Sequence, residues 1–183
     1  MGGNGPAVLA AAALALAAAW LYNRLVAARN LAREGFADID VQLKRRADLV
    51  PQLVEAVRAY AAHEKALLAS VAELRAAALA AAGGPSDARF DAERALGGRI
   101  KQLVVLQEAY PQLKADANFR DLAAKLVDTE DRLQYARRFY NGAVKEYRNR
   151  LETFPGTLLA RALRFQPLPF FESDEREAPK VAL

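Results

Sequence analysis

Residues 22–60 read YNRLVAARNLAREGFADIDVQLKRRADLVPQLVEAVRAY. A heptad laid across them puts Tyr22, Arg29, Phe36, Leu43, Val50 and Val57 at one core position. Leu25, Ala32, Ile39, Arg46, Leu53 and Tyr60 take the other. Most of these are apolar, and apolar residues at that spacing form the seam of a helix packed on other helices. Gly35 weakens the helix slightly. Pro51 removes one backbone hydrogen bond and crowds the carbonyl four residues back, that of Ala47. Two outcomes are open: a kink near Ala47, or a break at which Asp48 caps a new helix with Pro51 in its first turn. The kink is the expectation. Arg46 falls on the seam beside Leu43, Val50 and Leu53, where burial without a carboxylate or carbonyl partner is expensive. It is therefore expected to find such a partner and to set register or orientation in a bundle or oligomer.

Toward the N-terminus the same register runs into a different solvent. No charged side chain precedes Arg24, and Ala7 to Tyr22 is continuously apolar or aromatic, with nine alanines among those sixteen residues. The stretch approaches the length of a bilayer core if Leu25 and Val26 contribute while Arg24 snorkels. A secretory leader carries positive charge before its apolar run, and none stands here. The segment therefore reads as a permanent single-pass anchor. Trp20, Tyr22 and Arg24 are the candidate membrane-interface residues. Arg24, Arg29 and Arg33 follow the span and nothing basic precedes it. The positive-inside rule then leaves the N-terminus outside and the helical domain cytoplasmic, at a bacterial inner membrane.

Toward the C-terminus, helical patterning continues through Leu67, Leu68, Val71 and Leu74 to Ala82, where Gly83-Gly84-Pro85-Ser86 stops one helix and starts the next. The second helix carries Phe90, Leu96, Ile100, Leu103, Val104 and Leu106, is weakened by Gly97 and Gly98, and ends around Tyr110-Pro111. A third begins near Asn118, with a stripe from Phe119 to Leu151, and Phe154-Pro155-Gly156 closes it. Thr157 to Leu163 reads as a short fourth helix. From Gln166 onward, three prolines and the acids Glu172, Asp174, Glu175 and Glu177 predict an extended or disordered end. The fold class is all-α: an antiparallel bundle of three long helices plus a short C-terminal helix, on an N-terminal transmembrane helix. Its divisions are a tail over 1–6, an anchor over 7–26, a bundle over 27–165 and an extended or disordered end over 166–183.

Helix lengths bear on what covers the seam. At about 1.5 Å per residue the second helix descends only to roughly the level of Tyr60. The seam from Tyr22 to Val50 would then project with its stripe uncovered, and such a stripe calls for a cover. Either the C-terminal segment folds back onto it or copies of the chain pack there. Self-association is the reading favoured, and Phe36, Ile39, Leu43, Arg46, Val50 and Leu53 are the candidate oligomer or partner seam. The segment Leu158 to Phe171 mixes Arg161 and Arg164 with large apolar residues. Membrane surface and bundle groove both suit it, and Pro167 and Pro169 favour the groove.

No constellation points to catalysis. The 183 residues hold no cysteine, which excludes disulfides, thiol nucleophiles and cysteine zinc sites. His63 is the single histidine; with Leu67 four residues on, HExxH is absent, so no metal site is expected. Asp38 and Asp40 face different sides of a helix, and Asp40 with Lys44 reads as an i,i+4 pair. Gly83-Gly84 lacks the Lys-Ser or Lys-Thr of a phosphate loop. No nucleophile–base pair is visible, and neither an enzyme nor a cofactor is expected. A net charge of +4 comes with no nucleic-acid motif, so nucleic acid is not expected as a partner.

The run Tyr22-Asn23-Arg24-Leu25-Val26 with Arg29-Asn30, then Asp38-Ile39-Asp40-Val41-Gln42-Leu43-Lys44-Arg45-Arg46, Asp48-Leu49-Val50-Pro51 and His63-Glu64, resembles the LemA family. So do Tyr110-Pro111-Gln112-Leu113-Lys114-Ala115, Asn118-Phe119, Thr129-Glu130, Ala136-Arg137, Tyr140-Asn141, Phe154-Pro155-Gly156 and Pro179-Lys180-Val181. Gly35-Phe36, where the family usually shows a small residue and Trp, and the terminal Leu183 depart from the pattern. The resemblance implies a transmembrane helix, an all-helical bundle and no established enzymatic activity. It also implies relatives associated with membrane remodelling, as in magnetosome formation, and others encoded near a membrane metalloprotease. Two functions are therefore expected: a self-associating membrane-anchored scaffold, or an adaptor of another membrane protein such as a quality-control metalloprotease.

Overall fold

A computed structural model describes residues 5–171. Its six α-helices are α1 (Gly5–Arg58), α2 (Lys65–Ala80), α3 (Asp87–Val105), α4 (Pro111–Ala115), α5 (Ala117–Glu152) and α6 (Gly156–Ala162), with a 3₁₀ turn at Leu106–Glu108. No strand occurs among the described residues. The all-α antiparallel bundle is thus as the periodicity predicts, with one difference. The helix expected to reach Ala82 ends at Arg58, and α2 turns back. Ala61 is fully buried in the turn, and its carbonyl accepts the Glu64 N–H at 3.1 Å. Glu64 in turn accepts from the Tyr110 hydroxyl at 3.1 Å. Neither glycine nor proline marks this turn, so nothing local in the sequence announces it.

Pro51 does not break α1, which runs through it for 54 residues. The Ala47 carbonyl, deprived of the N–H that Pro51 lacks, accepts Arg75 Nε from α2 at 2.7 Å. A side chain thus replaces the missing intrahelical donor. The other boundaries follow local chemistry. Ser86 caps α3 by accepting the Arg89 N–H, Pro111 opens α4, and Asp116 caps α5 by accepting the Phe119 N–H at 2.7 Å. The second oxygen of Asp116 accepts the Tyr60 hydroxyl at 2.9 Å, which ties the end of α1 to the start of α5.

α5 is the element that decides the architecture. Its 36 residues span about 54 Å and lie antiparallel along α1. Arg150 donates to the Arg24 carbonyl, Gly35 meets Phe139, Arg46 meets Glu130, and Tyr60 meets Asp116, a steady register over the whole helix. At Gly35 an added Cβ would lie 2.8 Å from the Phe139 ring and 3.2 Å from the Tyr140 Cα, so glycine is what lets the two helices close there. The core has two parts. The distal cluster joins Val50, Leu53, Val54 and Val57 of α1 and Ala61 of the turn to α2, α3 and the first half of α5; the proximal one gathers Ala32, Phe36, Ile39 and Leu43 with Phe90, Leu133, Tyr140, Val144 and Phe171.

The expectation of a bare lower seam is corrected by this arrangement. Phe36, Ile39, Leu43, Arg46, Val50 and Leu53 are all buried within a single chain. α5 is long enough to cover the seam from Tyr60 to Arg24, and it leaves these six residues no face for a second copy.

The segment after α6 docks in a groove, as its prolines predict. Leu168 and Phe170 pack against the proximal core, and Phe171 is buried in it. Tyr140 and Tyr147 donate to the Pro169 and Gln166 carbonyls, and Arg148 Nε donates to the Leu168 carbonyl. Asn141 exchanges two hydrogen bonds, both 2.9 Å, with the Phe171 backbone. The expected acid cluster, like the end of the tail over 172–183, lies outside the described residues.

Candidate functional site

Two regions carry the residues that the sequence singles out. The first is Arg46. Its guanidinium donates to Glu93 Oε2 at 2.6 Å, to the Glu93 carbonyl at 2.8 Å and to Glu130 Oε1 at 2.8 Å. Both kinds of partner required by burial are present, and they come from different helices, so one side chain pins α1 to α3 and α5. Gly97 makes room for it: a Cβ there would stand 3.0 Å from Arg46 Nη1. Arg137 lies beside this cluster. Burial, and then the charge of Arg46, hold its pKa below the ordinary guanidinium value. A cavity of about 240 Å³ opens here, and Arg46, Glu93, Arg94, Lys101, Glu130 and Arg137 are among its walls. Its two carboxylates are already spent on Arg46.

Asp40 is corrected. Its carboxylate pairs with Arg89 of α3, which also donates to the Gly83 carbonyl and lies over the Phe36 ring, and not with Lys44. Sequence spacing finds helix neighbours but not partners from another helix. His63 is exposed, and no group of three or more potential metal ligands occurs among the described residues.

The second region is the membrane exit. α1 contains an apolar window long enough to cross a bilayer, none of which is buried against the rest of the molecule. Trp20 and Tyr22 are exposed, and Arg24 lies over the Trp20 ring, 4.8 Å from its centre. The next residue, Leu25, is buried. The change from bare to covered helix therefore falls at Arg24, where Arg150 at the foot of α5 bonds its carbonyl at 2.9 Å. Tyr22 meets the edge of Phe165, and Phe154, Pro155 and Gly156 lie beside Leu21 and Leu25. The sequence places Trp20, Tyr22 and Arg24 at an interface. It offers a membrane surface as one of two places for Leu158 to Phe171, but gives no sign that Phe154, Pro155 and Gly156 share that level.

The LemA family model matches residues 35–183, which includes the seam, all of α5 and the docked tail. The chain belongs to the LemA family. Among curated LemA-like relatives, it is 23% identical over 174 residues to magnetosome protein MamQ of Magnetospirillum gryphiswaldense. It is 22% identical over 175 residues to magnetosome proteins MamQ 1 and MamQ 2 of Paramagnetospirillum magneticum. Each alignment covers 82% of this chain and 64% of the relative, so the chain spans somewhat under two thirds of their length. Together with the bare apolar helix, these likenesses support a membrane-anchored helical protein.

Proposed function

We propose that this LemA-family chain is a non-enzymatic, membrane-anchored scaffold that organises membrane or partner proteins. The observation that carries it is the continuity of α1. One helix holds both the unburied apolar span and the seam of the bundle, so the bundle is fixed to its anchor without a linker. A rigid post of this kind suits presentation of helical faces. Self-association then uses outward faces, since the seam is occupied by α5. The likeness to magnetosome proteins supports a role at a membrane. The charge step at Arg24, Arg29 and Arg33 favours an inner membrane with the bundle in the cytoplasm. Light scattering in nanodiscs tests the scaffold: assemblies larger than one chain are expected, and strict monomers at all concentrations would end the self-associating version.

The adaptor reading draws on an outward patch. Val41 of α1 and Tyr135 and Phe139 of α5 are exposed around a shallow groove that Asp38 and Arg132 flank. Exposed aromatics grouped on a rigid face fit a protein partner, such as a membrane metalloprotease. Crosslinking in membranes followed by purification should recover that partner in fixed ratio; recovery of this chain alone counts against it.

A further inference from the structure

The elbow that joins α5 to the docked tail carries three large apolar side chains that the fold leaves in the open. Phe154 is 78% exposed, Leu158 62% and Leu163 50%. Phe154 and Gly156 line a crevice with Leu21, Arg24 and Leu25 of α1, and Leu158 follows in the first turn of α6. Arg24 is the first charge after the span, so this crevice stands at the bilayer surface if α1 crosses it. Exposed Phe and Leu at that level gain by entering the acyl boundary, whereas in water they gain nothing.

Just above the elbow is a cavity of about 430 Å³ whose walls include Tyr22, Arg29, Arg33, Tyr147, Arg164 and Phe165. Three guanidinium groups and no carboxylate line it. None of the three arginines makes an ion pair with a described residue, and Arg29 Nε is buried without a hydrogen-bond partner among them. Arg29 lies over the Phe165 ring at 5.1 Å. The charges of Arg29 and Arg33 also act on the Tyr147 hydroxyl, opposing the upward push of burial on its pKa. Along α1, Arg29 is about 7 Å beyond Arg24, and a headgroup layer is roughly 5–8 Å deep. Arg29 is therefore at phosphate depth, and Arg33, about 13.5 Å beyond Arg24, lines the same cavity from its upper side.

We infer that this cavity takes the phosphate of an anionic phospholipid from the bilayer that α1 enters. Arg29, Arg33 and Arg164 hold the phosphate, while Phe154 and Leu158 seat the elbow among the acyl chains below. The inference rests on the anchored reading of α1. Its occupant is a lipid and not a free anion because the walls of the same cavity set Leu163, Phe165 and Leu168 beside the three guanidinium groups.

Fluorescence in phosphatidylcholine nanodiscs tests the seat. Trp20 is the single tryptophan, so its quenching by acyl-brominated lipids in the native chain reports the span alone. In a Trp20→Phe background, Leu158→Trp places the probe on the elbow and Val105→Trp, at the exposed upper end of α3, places it at the distal end. The elbow probe should be quenched by lipids brominated high on the chain, and the distal probe should not. A quenched Trp20 with an unquenched elbow probe overturns the seat and leaves the anchor standing; an unquenched Trp20 overturns both. Native mass spectrometry then tests the headgroup. The full chain should retain phosphatidylglycerol over phosphatidylcholine. The exposed double variant Arg33→Gln/Arg164→Gln should lose roughly five-fold of that preference per arginine, with unchanged helical circular dichroism. Equal retention of both lipids, an unaltered preference in the variant, or displacement of phosphatidylglycerol by inorganic phosphate would each overturn the site.

Discussion

Arg46 and Gly97 are a matched pair, one filling the space that the other vacates. Replacing Arg46 with Leu strands the Glu93 carboxylate in the core, and removal of one partner from a buried pair costs about 3–5 kcal/mol. Adding Glu93→Gln to Arg46→Leu should recover part of that loss, because the stranded charge is gone. Chemical denaturation of the three proteins measures it; equal stability of Arg46→Leu and the native chain would remove Arg46 from its role. The neighbouring glycines separate in the same way. Gly97→Ala presses on a guanidinium held by three hydrogen bonds and should destabilise. Gly98 meets nothing within 4 Å, so Gly98→Ala should stabilise by about 0.5–1 kcal/mol through helix propensity. Thermal melts that rank the two variants the other way would contradict the packing. The sequence reveals that Arg46 needs a counter-charge, but not which: Glu93 and Glu130 come from helices whose relative placement only the assembled bundle sets.

At the scale of elements, the start of α5 carries a pH dependence that follows from its cap. The Phe119 N–H, and then the Tyr60 hydroxyl, hold the Asp116 carboxyl below its usual pKa of 3.8. A depressed carboxyl contributes stability that is fully present above the unfolded value and disappears as pH falls through the folded one. The contribution of Asp116 is therefore lost below about pH 3.8. Asp116→Asn keeps a capping side chain without the titrating charge, so its melting temperature should fall less steeply over that acid range than that of the native chain. Parallel slopes would contradict the assignment. The helix start at Ser86 was readable from its own side chain; Pro111, read as the end of a helix, instead opens α4, and α5 starts at its Asp116 cap just ahead of the expected Asn118. The turn after Arg58 was not, because Ala61 is held by tertiary burial. The cover of the seam was readable in principle: the length estimate applied to the second helix gives the right answer when applied to α5.

Across the whole molecule, the docked tail closes the proximal core. The Phe171 ring stacks on Phe90 with centroids 4.2 Å apart, and Arg137 lies over its other side at 4.1 Å. Phe171→Ala should therefore cost about 3–5 kcal/mol, and denaturant midpoints should fall accordingly. A change under about 1 kcal/mol would mean that the tail is an ornament. The seam, the tail and the elbow all depend on α5 of the same chain lying along α1. The absence of cysteine allows a direct test of that arrangement. Arg45 and Asp128 are half-exposed partners across the two helices, 3.4 Å apart. With Arg45→Cys and Asp128→Cys in the membrane-embedded chain, a short thiol crosslinker should yield a linked monomer whose fraction is unchanged by dilution. A product of twice the chain mass that disappears on dilution, with no linked monomer, would show that the seam is filled by another copy and contradict the account.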